Sequence, residues 1–278
     1  MHPVVNHLVQ LQELMLIRDE EKVTMGLSRL EQMDASIKEM IVKLPDETRV
    51  FFEKLQKKDH VVIVPVSDGI CAACGMKLPI SLAQAVRLGR EIHGCPNCAR
   101  MLFYPESAPR WVGKVPRRSE PRKVGISRFS SHTLMIPKLE SEDMEGVIRE
   151  LACKMEYEGF VDKADKLAES ALRREAILST AVDHGLAFPH VRHVEGGGLT
   201  LALGIAAKPM KWSTSAEAAT RMVFFMAIPT AASAFSLKLL AGLMEALMKP
   251  DARKAILAEK EADKVWKALC KITRTTIK

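Results

Sequence analysis

Two kinds of residue in this chain are suited to chemistry: paired cysteines, and one histidine that follows a short apolar run. The paired cysteines form two Cys-x-x-Cys motifs, made of Cys71, Cys74, Cys95 and Cys98. This spacing is typical of a tetrahedral site with four thiolate ligands, the ligand set of structural zinc. Because four thiolates leave no position for water, the sequence predicts one structural Zn²⁺ ion. The ion would stabilise a module too small for a good hydrophobic core.

The histidine is His190, which follows residues 185–189 (GLAFP). An apolar run between glycine and proline predicts a short buried strand, and Pro189 should end it because proline has no N–H to donate. Imidazole is the side chain best suited to exchange a proton or a phosphoryl group near neutral pH. A histidine after a strand is more often structural, so its neighbours must decide between the two roles.

The residues before this strand offer partners for an anion. Arg173 and Arg174 lie at the end of a predicted helix, and Ser179 and Thr180 lie in the loop that leads to the strand. A guanidinium group binds two phosphate oxygens at once, and hydroxyl groups donate to a third. Alone these residues prove little, since arginine and serine are common on surfaces. We treat Arg174, Ser179 and Thr180 as candidate phosphoryl-site residues.

Composition bounds the class of protein. A length of 278 residues suggests about two domains, and no apolar run is long enough to cross a membrane. The start of the sequence has no secretory signal, so we expect a cytoplasmic protein. Cys153 and Cys270 lie singly in helical patterns, which is typical of buried thiols in a reducing compartment.

Of the net charge of +7, six units lie in one segment. Residues 107–132 contain seven basic residues and one acidic residue, together with three prolines, so they predict an extended and flexible basic linker. A weak contact with phosphate or an acidic partner is the functional alternative to a solvated tether. Nucleic-acid binding is disfavoured, because the cysteine module has few aromatic or basic residues suited to it.

The elements before the linker are helices and a β-branched run. Apolar spacing predicts a long helix over residues 4–44, and Pro45 with two following acids begins a second helix that ends near residue 58. We expect this hairpin, residues 1–60, to dimerise or dock; an ordinary helical arm is an equal alternative. Residues 61–106 hold a β-branched run and the four cysteines, and form the next domain.

Residues 133–278 form the last predicted domain. A strand begins it at 133–137, and Ser141 and Asp162 begin two helices. Further strands are expected at 199–205 and 222–228, with a turn at the three glycines 196–198. Helices follow from residue 233 onward. The sequence as a whole predicts an α+β multidomain chain, with a central mixed sheet and helices on both faces in this last domain.

The cysteine module resembles a known family. Residues 70–104, with CAACGMKLP and later CPNCARMLFY, look like the C4-type zinc ribbon attached to bacterial helical-hairpin proteins. That resemblance implies a protein-binding adaptor. In some members the partner is the nitrogen-type alternative sigma factor.

The last domain resembles another family. The segments LRRE, ST, GLAFPH, MVFFMAIP and SLKLLAGL follow one another as in the EIIA domain of the phosphoenolpyruvate-dependent phosphotransferase system, of the fructose/mannitol or PtsN-like type. The resemblance implies that His190 carries a phosphoryl group received from an HPr- or NPr-type carrier, and that Arg174 lies in the same site. Ser236 stands where the family usually has a second active-site histidine.

Two functions therefore remain open. The first is a regulatory phosphocarrier, a phosphotransferase component rather than a complete enzyme, favoured because no EIIB-like or membrane EIIC-like segment is visible. The second is a zinc-ribbon adaptor whose EIIA-like domain has lost efficient phosphotransfer and binds protein. Ser236 supports the second. His184 and His193 lie near in sequence and are candidates to replace the missing imidazole, although such loop histidines are more often bystanders.

Overall fold

The computed structural model describes residues 3–24, 30–105, 109–113, 123–196, 198–212 and 219–278, with only the backbone of Ala234. The chain forms two compact units, residues 1–107 and residues 108–278. None of the described helices is long and apolar enough to cross a membrane.

The first unit begins with three helices, α1 (Pro3–Thr24), α2 (Leu30–Val42) and α3 (Asp46–Gln56). The predicted single helix over residues 4–44 is wrong. His7 Nε2 lies 2.7 Å from the carbonyl oxygen of Met40, and Arg18 donates to Asp34 at 3.1 Å, so α1 and α2 run antiparallel. Reversal lets the two apolar stripes of α1 and α2 bury each other, which one straight helix could not do. The connecting residues 25–29 lie outside the described part.

The zinc-ribbon part of this unit is a small sheet with one helix. Its elements are β1 (Ile63–Ser67), β2 (Ile70–Cys71), α4 (Ile80–Leu88), β3 (His93–Gly94) and β4 (Met101–Phe103), in the sheet order β2-β1-β4-β3. Strands β1 and β4 are parallel. Gln12 of α1 bonds the backbone beside β1: its Nε2 donates to the Ile63 carbonyl at 2.8 Å, and its Oε1 accepts from the Val62 amide at 2.6 Å. The helical hairpin is therefore docked on the ribbon.

The second unit contains six strands and five helices among its described residues. They are β5 (Met135–Leu139), α5 (Met144–Tyr157), α6 (Ala164–Ile177), β6 (Ala181–Val182), β7 (Leu186–Ala187), β8 (His190–Val194), β9 (Thr200–Met210), β10 (Thr220–Pro229), α7 (Ser233–Leu247), α8 (Pro250–Leu257) and α9 (Ala262–Thr273). Helix α5 begins later than predicted, because Asp143 and not Ser141 is its N-cap and accepts from the Gly146 amide at 2.8 Å.

The sheet of this unit is mixed, in the order β5-β9-β10-β7-β6, with β8 also pairing with β10. Strands β9 and β10 are antiparallel, whereas β7 and β8 both run parallel to β10. All residues of β10 from Met222 to Pro229 are buried, so both of its faces are covered. Helix α5 contacts β9 and β10, α7 contacts β10 and α9 contacts β5. The predicted mixed sheet with helices on both faces is confirmed.

The strand that leads to His190 differs from the prediction. Pro189 does not end the pairing, since the Met226 amide donates to the Pro189 carbonyl at 3.0 Å and Met226 is paired with His190. Proline lacks a donor but keeps its acceptor, and here the acceptor maintains the ladder. The predicted strand before His190 is the two-residue β7, and His190 itself begins the next strand, β8.

The predicted flexible linker is also wrong over its described parts. Residues 109–112 pair with the backbone near Glu195 and Phe160, and residues Gly125–Arg128 form a 3₁₀ turn. The Phe129 carbonyl accepts from the Leu201 amide at 2.8 Å. Inside the basic segment, Trp111 and the buried Ile126 supply apolar surface that attaches it to the second unit. Residues 114–122 lie outside the description.

Candidate functional site

His190 is a buried histidine with a defined tautomer. Its side chain is 4% exposed, and Nδ1 lies 3.0 Å from the Phe188 carbonyl oxygen. A carbonyl oxygen only accepts, so Nδ1 carries the hydrogen of the neutral ring and Nε2 carries the lone pair. The sequence at 188–190 fixes this local arrangement, because Pro189 sets the turn of backbone between the carbonyl and the ring. The lone pair of the His190 ring therefore lies on Nε2.

Arg174 lies on the helix that packs against this strand. It is in the last turn of α6, is 6% exposed, and donates through Nη1 to the Leu178 carbonyl at 2.8 Å. Helix α6 contacts β8, the strand of His190. The structure thus places the two residues named by the sequence on packed neighbouring elements.

Ser179 and Thr180 have a different role from the one predicted. Both hydroxyl groups donate to the buried carboxylate of Glu175, at 2.9 Å from Ser179 and 2.5 Å from Thr180. The Thr180 amide (2.8 Å) and Trp212 Nε1 (2.9 Å) donate to the same carboxylate. A hydroxyl has one hydrogen, so neither side chain has a hydrogen left to donate to a bound phosphoryl group in this conformation. The two residues fix the turn after α6, around Glu175.

Ser236 is likewise engaged within its own helix. It is 2% exposed in the first turn of α7, and its hydroxyl donates to the Ser233 carbonyl at 2.7 Å. The one hydrogen of the Ser236 hydroxyl is therefore used inside the helix. The position that the resemblance assigns to a second active-site histidine has no imidazole.

Arg192, which the sequence did not single out, and His193, a candidate from the sequence, lie close to His190 on the same strand. Arg192 is two residues further, and side chains at this spacing lie on the same face of a strand. His193 has a φ of 60° and sits where the register of β8 and β10 shifts, which identifies it as a bulge residue. Its Nδ1 lies 3.2 Å from Thr230 Oγ1. The alternation of side chains along a strand that begins at His190 could have predicted that Arg192 lies on the same face as His190.

Burial and a neighbouring charge determine the protonation of His193. Burial, assisted by the positive charge of Arg192, lowers the pKa of His193 to about 4. The ring is therefore neutral at pH 7. His184, the other candidate, lies exposed in the 3₁₀ turn Asp183–Gly185 with a φ of 70°. It is not part of the strand that carries His190.

The four cysteines form one cluster in the ribbon. The ligand sulfurs of Cys71, Cys74, Cys95 and Cys98 all lie within 4.8 Å of one another. The distance is 3.8 Å between the Cys71 and Cys98 sulfurs and 3.6 Å between the Cys74 and Cys95 sulfurs. Tetrahedral zinc with Zn–S bonds of about 2.3 Å requires sulfurs separated by about 3.8 Å. The residues therefore fit a zinc ion.

The two cysteine motifs have matching backbone turns. Gly75 and Ala99, each just after the second cysteine of a motif, have φ values of 73° and 60°. Their amides donate to the carbonyls of Cys71 at 2.9 Å and Cys95 at 2.8 Å. Glycine suits this conformation, whereas an alanine is strained there. The turn at Ala99 thus has the same geometry as the turn at Gly75, but with backbone strain that the glycine avoids.

Hydrogen bonds to sulfur give Cys71 and Cys74 different pKa values. Burial raises the pKa of Cys71 to about 12, against the effect of backbone donors from Cys74 and Ala73. Burial acts in the same direction on Cys74, but donors that include the Asn97 side chain outweigh it and lower the pKa of Cys74 to about 6. A metal ion must displace the proton of Cys71, so metal binding at this cluster releases protons.

Comparison with known families identifies the second unit. Residues 128–272, more than half of the chain, match the family model described as phosphoenolpyruvate-dependent sugar phosphotransferase system, EIIA 2. This chain belongs to that EIIA family. In the first unit, residues 70–102 match the model of the C4-type zinc ribbon domain, in agreement with the four-cysteine cluster.

Individual relatives of this EIIA chain are distant. It is 25% identical over 137 residues to the PTS system fructose-specific EIIABC component of Bacillus subtilis, covering 49% of this chain and 21% of that protein. It is 25% identical over 128 residues to the fructose-specific EIIA component of Haloferax volcanii, covering 46% of this chain and 83% of that one. The crystal structure of nitrogen regulatory protein IIA-Ntr from Neisseria meningitidis matches with a TM-score of 0.46 at 21% identity, over 51% of this chain and 96% of that one. The chain thus spans about a fifth of the Bacillus protein's length.

Proposed function

We propose that this protein is a regulatory phosphocarrier that accepts a phosphoryl group on Nε2 of His190. Membership of the EIIA family supports the reaction class. The observation that carries the assignment to this residue is the bond between His190 Nδ1 and the Phe188 carbonyl, at 3.0 Å, which leaves Nε2 as the nucleophile.

The reaction consists of one exchange of bonds. The lone pair of Nε2 attacks the phosphorus of a phosphohistidine on the donor protein, and the donor's phosphorus–nitrogen bond breaks as its ring takes back the electron pair. Because His190 keeps its hydrogen on Nδ1, its ring gains positive charge as the new bond forms. The Nδ1–H bond to the Phe188 carbonyl then becomes charge-assisted and stronger. This carbonyl helps to stabilise the phosphorylated ring.

Two guanidinium groups are proposed to neutralise the phosphoryl oxygens. Arg174 is on the helix packed against β8, and Arg192 is on β8 itself. Arginine holds its charge at all physiological pH values and binds two oxygens in one plane. In this proposal Arg192 provides some of the positive charge that a second imidazole would otherwise provide, while Ser179, Thr180 and Ser236 hold the surrounding backbone.

The donor is proposed to be an HPr- or NPr-type phosphocarrier. With 4% of His190 exposed, transfer needs close docking of the donor or a local movement that uncovers Nε2. The protein must meet its donor in the same compartment, which we propose to be the cytoplasm. The fructose specificity in the names of two relatives belongs to those proteins, and we assign no sugar to this chain.

The regulatory part of the proposal rests on the unit that precedes the EIIA unit. A zinc ribbon with all four sulfurs committed to one Zn²⁺ ion has no open ligand position, so it acts as a structural support and not as a catalyst. We propose that the hairpin and ribbon bind a protein partner, the nitrogen-type sigma factor being the candidate from family resemblance, and that homo-oligomer formation through the hairpin is a further hypothesis.

The phosphocarrier proposal is tested by phosphorylating the full-length protein. It is incubated with phosphoenolpyruvate, enzyme I and an HPr-type carrier from the same organism, and acid-labile phosphate is located by mass spectrometry. We expect one phosphoryl group on wild type and on His184→Ala, and none on His190→Ala. An unlabelled wild type, under conditions that label an ordinary EIIA domain, contradicts the function. Label that persists in His190→Ala contradicts only the site.

A second function is favoured by the state of Ser236. The site has one histidine fewer than the family pattern, and the Ser236 hydroxyl that stands at this position already donates its hydrogen within α7. This supports a protein-binding module with impaired phosphotransfer. The substitution Ser236→His separates the two: a large rise in phosphorylation rate over wild type favours the impaired module, and an unchanged rate favours the phosphocarrier.

A further inference from the structure

A short segment ahead of the EIIA family match is built into the EIIA unit beside the His190 strand. We call this segment, residues 109–112, the strap. The Trp111 amide donates to the Glu195 carbonyl at 2.6 Å, and the Glu195 amide donates to the Pro109 carbonyl at 2.9 Å. Glu195 directly follows β8. The strap therefore extends the ladder from the end of the strand that His190 begins.

The other edge of the strap is also hydrogen-bonded. The Val112 amide donates to the Phe160 carbonyl at 2.9 Å, and the Asp162 amide donates to the Arg110 carbonyl at 3.1 Å. Phe160 and Asp162 belong to the loop between α5 and α6. The strap thus joins the end of β8 to the loop that begins α6, and these two elements carry His190 and Arg174.

The ring and the backbone of Trp111 explain two of the glycines in the turn between β8 and β9. A Cβ atom on Gly198 would lie 2.6 Å from Trp111 Nε1, and one on Gly196 would lie 2.9 Å from the Trp111 carbonyl oxygen. Real Cβ atoms do not approach so closely, so any side chain at these positions displaces the strap. Trp111 Nε1 also donates to Thr200 Oγ1 at 3.1 Å, at the start of β9.

The position of these contacts relative to the family match is informative. The matched segment begins at residue 128, so the strap lies outside the part of the chain that the family model covers. An Arg110–Glu195 ion pair of 3.3 Å is half exposed and adds little stability. The backbone bonds to Glu195, Phe160 and Asp162, together with the tryptophan ring, hold the strap.

We propose that Trp111 is a positioning residue for phosphotransfer, acting through the strap on the distance between the His190 strand and α6. The inference rests on the proposed function of His190. In-line transfer depends on placement of the nucleophile to within about 1 Å, an error that can cost up to about a hundredfold in rate. Loosening the strap therefore lowers the rate of phosphorylation and leaves docking of the donor unchanged.

The test is a cycle of two substitutions in the full-length protein, Trp111→Ala and Gly198→Ala, separately and together. Each single variant is expected to reach the same final labelling as wild type, at a rate about tenfold lower at saturating donor and with an unchanged KM for the donor. The Gly198→Ala change has no ring to displace once Trp111 is absent, so the double variant matches Trp111→Ala. Trp111→Phe keeps a ring in place and retains most of the rate, and Trp266→Ala serves as the control.

Three results overturn the proposal. The first is a wild-type rate in both single variants, and the second is independent, multiplying effects in the double variant. A lowered final labelling would indicate general loss of folded protein and also contradicts it. If wild type takes up no phosphate, the proposed function fails, and amide hydrogen exchange still tests the strap. Exchange at the Glu195 amide must then accelerate in Trp111→Ala, and an unchanged rate refutes the contact.

Discussion

Replacing Glu175 by glutamine should destabilise the EIIA unit selectively. Glu175 is 8% exposed and accepts three hydrogen bonds at Oε1, from Ser179, the Thr180 amide and Trp212, and one at Oε2 from the Thr180 hydroxyl. Hydrogen bonds to a charged acceptor contribute about 1.5–3 kcal/mol each, against about 1 kcal/mol for neutral ones. Glutamine keeps the shape and the three bonds at Oε1 without the charge, a gross loss of about 3 kcal/mol, and its amide nitrogen donates to the Thr180 hydroxyl in place of the fourth bond. The removed cost of burying a charge offsets part of this, leaving about 2 kcal/mol.

Tryptophan fluorescence is the suitable assay. All three tryptophans, Trp111, Trp212 and Trp266, lie in the unit of residues 108–278, so their emission during urea denaturation reports that unit alone. The matched control is Glu169→Gln, an exposed position on the same helix. We expect the free energy of unfolding to fall by about 2 kcal/mol in Glu175→Gln and by less than ~0.5 kcal/mol in the control. Equal values for the two variants would refute the idea that this carboxylate holds the turn after α6.

Three further predictions concern the ribbon and the bulge residue. Cys74→Ser should abolish stoichiometric zinc in elemental analysis and remove hydrogen-exchange protection from the ribbon while the EIIA unit stays protected; zinc retained at wild-type affinity contradicts the four-thiolate site. Ala99→Gly relieves a positive φ and should strengthen resistance of the ribbon to chemical denaturation by about 1 kcal/mol, whereas a loss would show that the turn is not strained. The lowered pKa of His193, about 4, means that the unfolded chain takes up a proton near pH 6.5 before the folded one does. Stability is therefore complete above pH 6.5 and falls by about 2 kcal/mol as the pH approaches 4.5. His193→Asn should remove that loss, while His184→Asn, at a similar φ, should retain it; identical pH profiles for all three proteins rule the mechanism out.

Local features were predictable from sequence because their causes are local. The spacing of Cys71, Cys74, Cys95 and Cys98 determines a ligand set without reference to the rest of the fold, and the structure brings these sulfurs together. Pro45 begins α3 as expected. The sheet composition of the EIIA unit follows from apolar runs bounded by turn residues, as in β9 and β10.

The features that were missed depend on contacts between distant parts of the chain. Trp212 bonds Glu175 across 37 residues, and Trp111 bonds Thr200 across 89 residues. Hydrophobic periodicity does not predict such pairs. Ser179 and Thr180 were therefore predicted to bind a phosphoryl group, although the Glu175 carboxylate already accepts their hydrogens. Composition was misleading for the linker for the same reason. Its prolines and basic residues indicated a tether, while its one tryptophan attaches it to the fold.

The central claim, a phosphoryl group on Nε2 of His190, is tested most directly by imidazole NMR of the isotopically labelled protein. Spectra are recorded before and after incubation with phosphoenolpyruvate, enzyme I and an HPr-type carrier. The account predicts phosphorus coupling at Nε2 of His190, with Nδ1 still protonated against the Phe188 carbonyl. Phosphorus on Nδ1, on another histidine, or on none would contradict it.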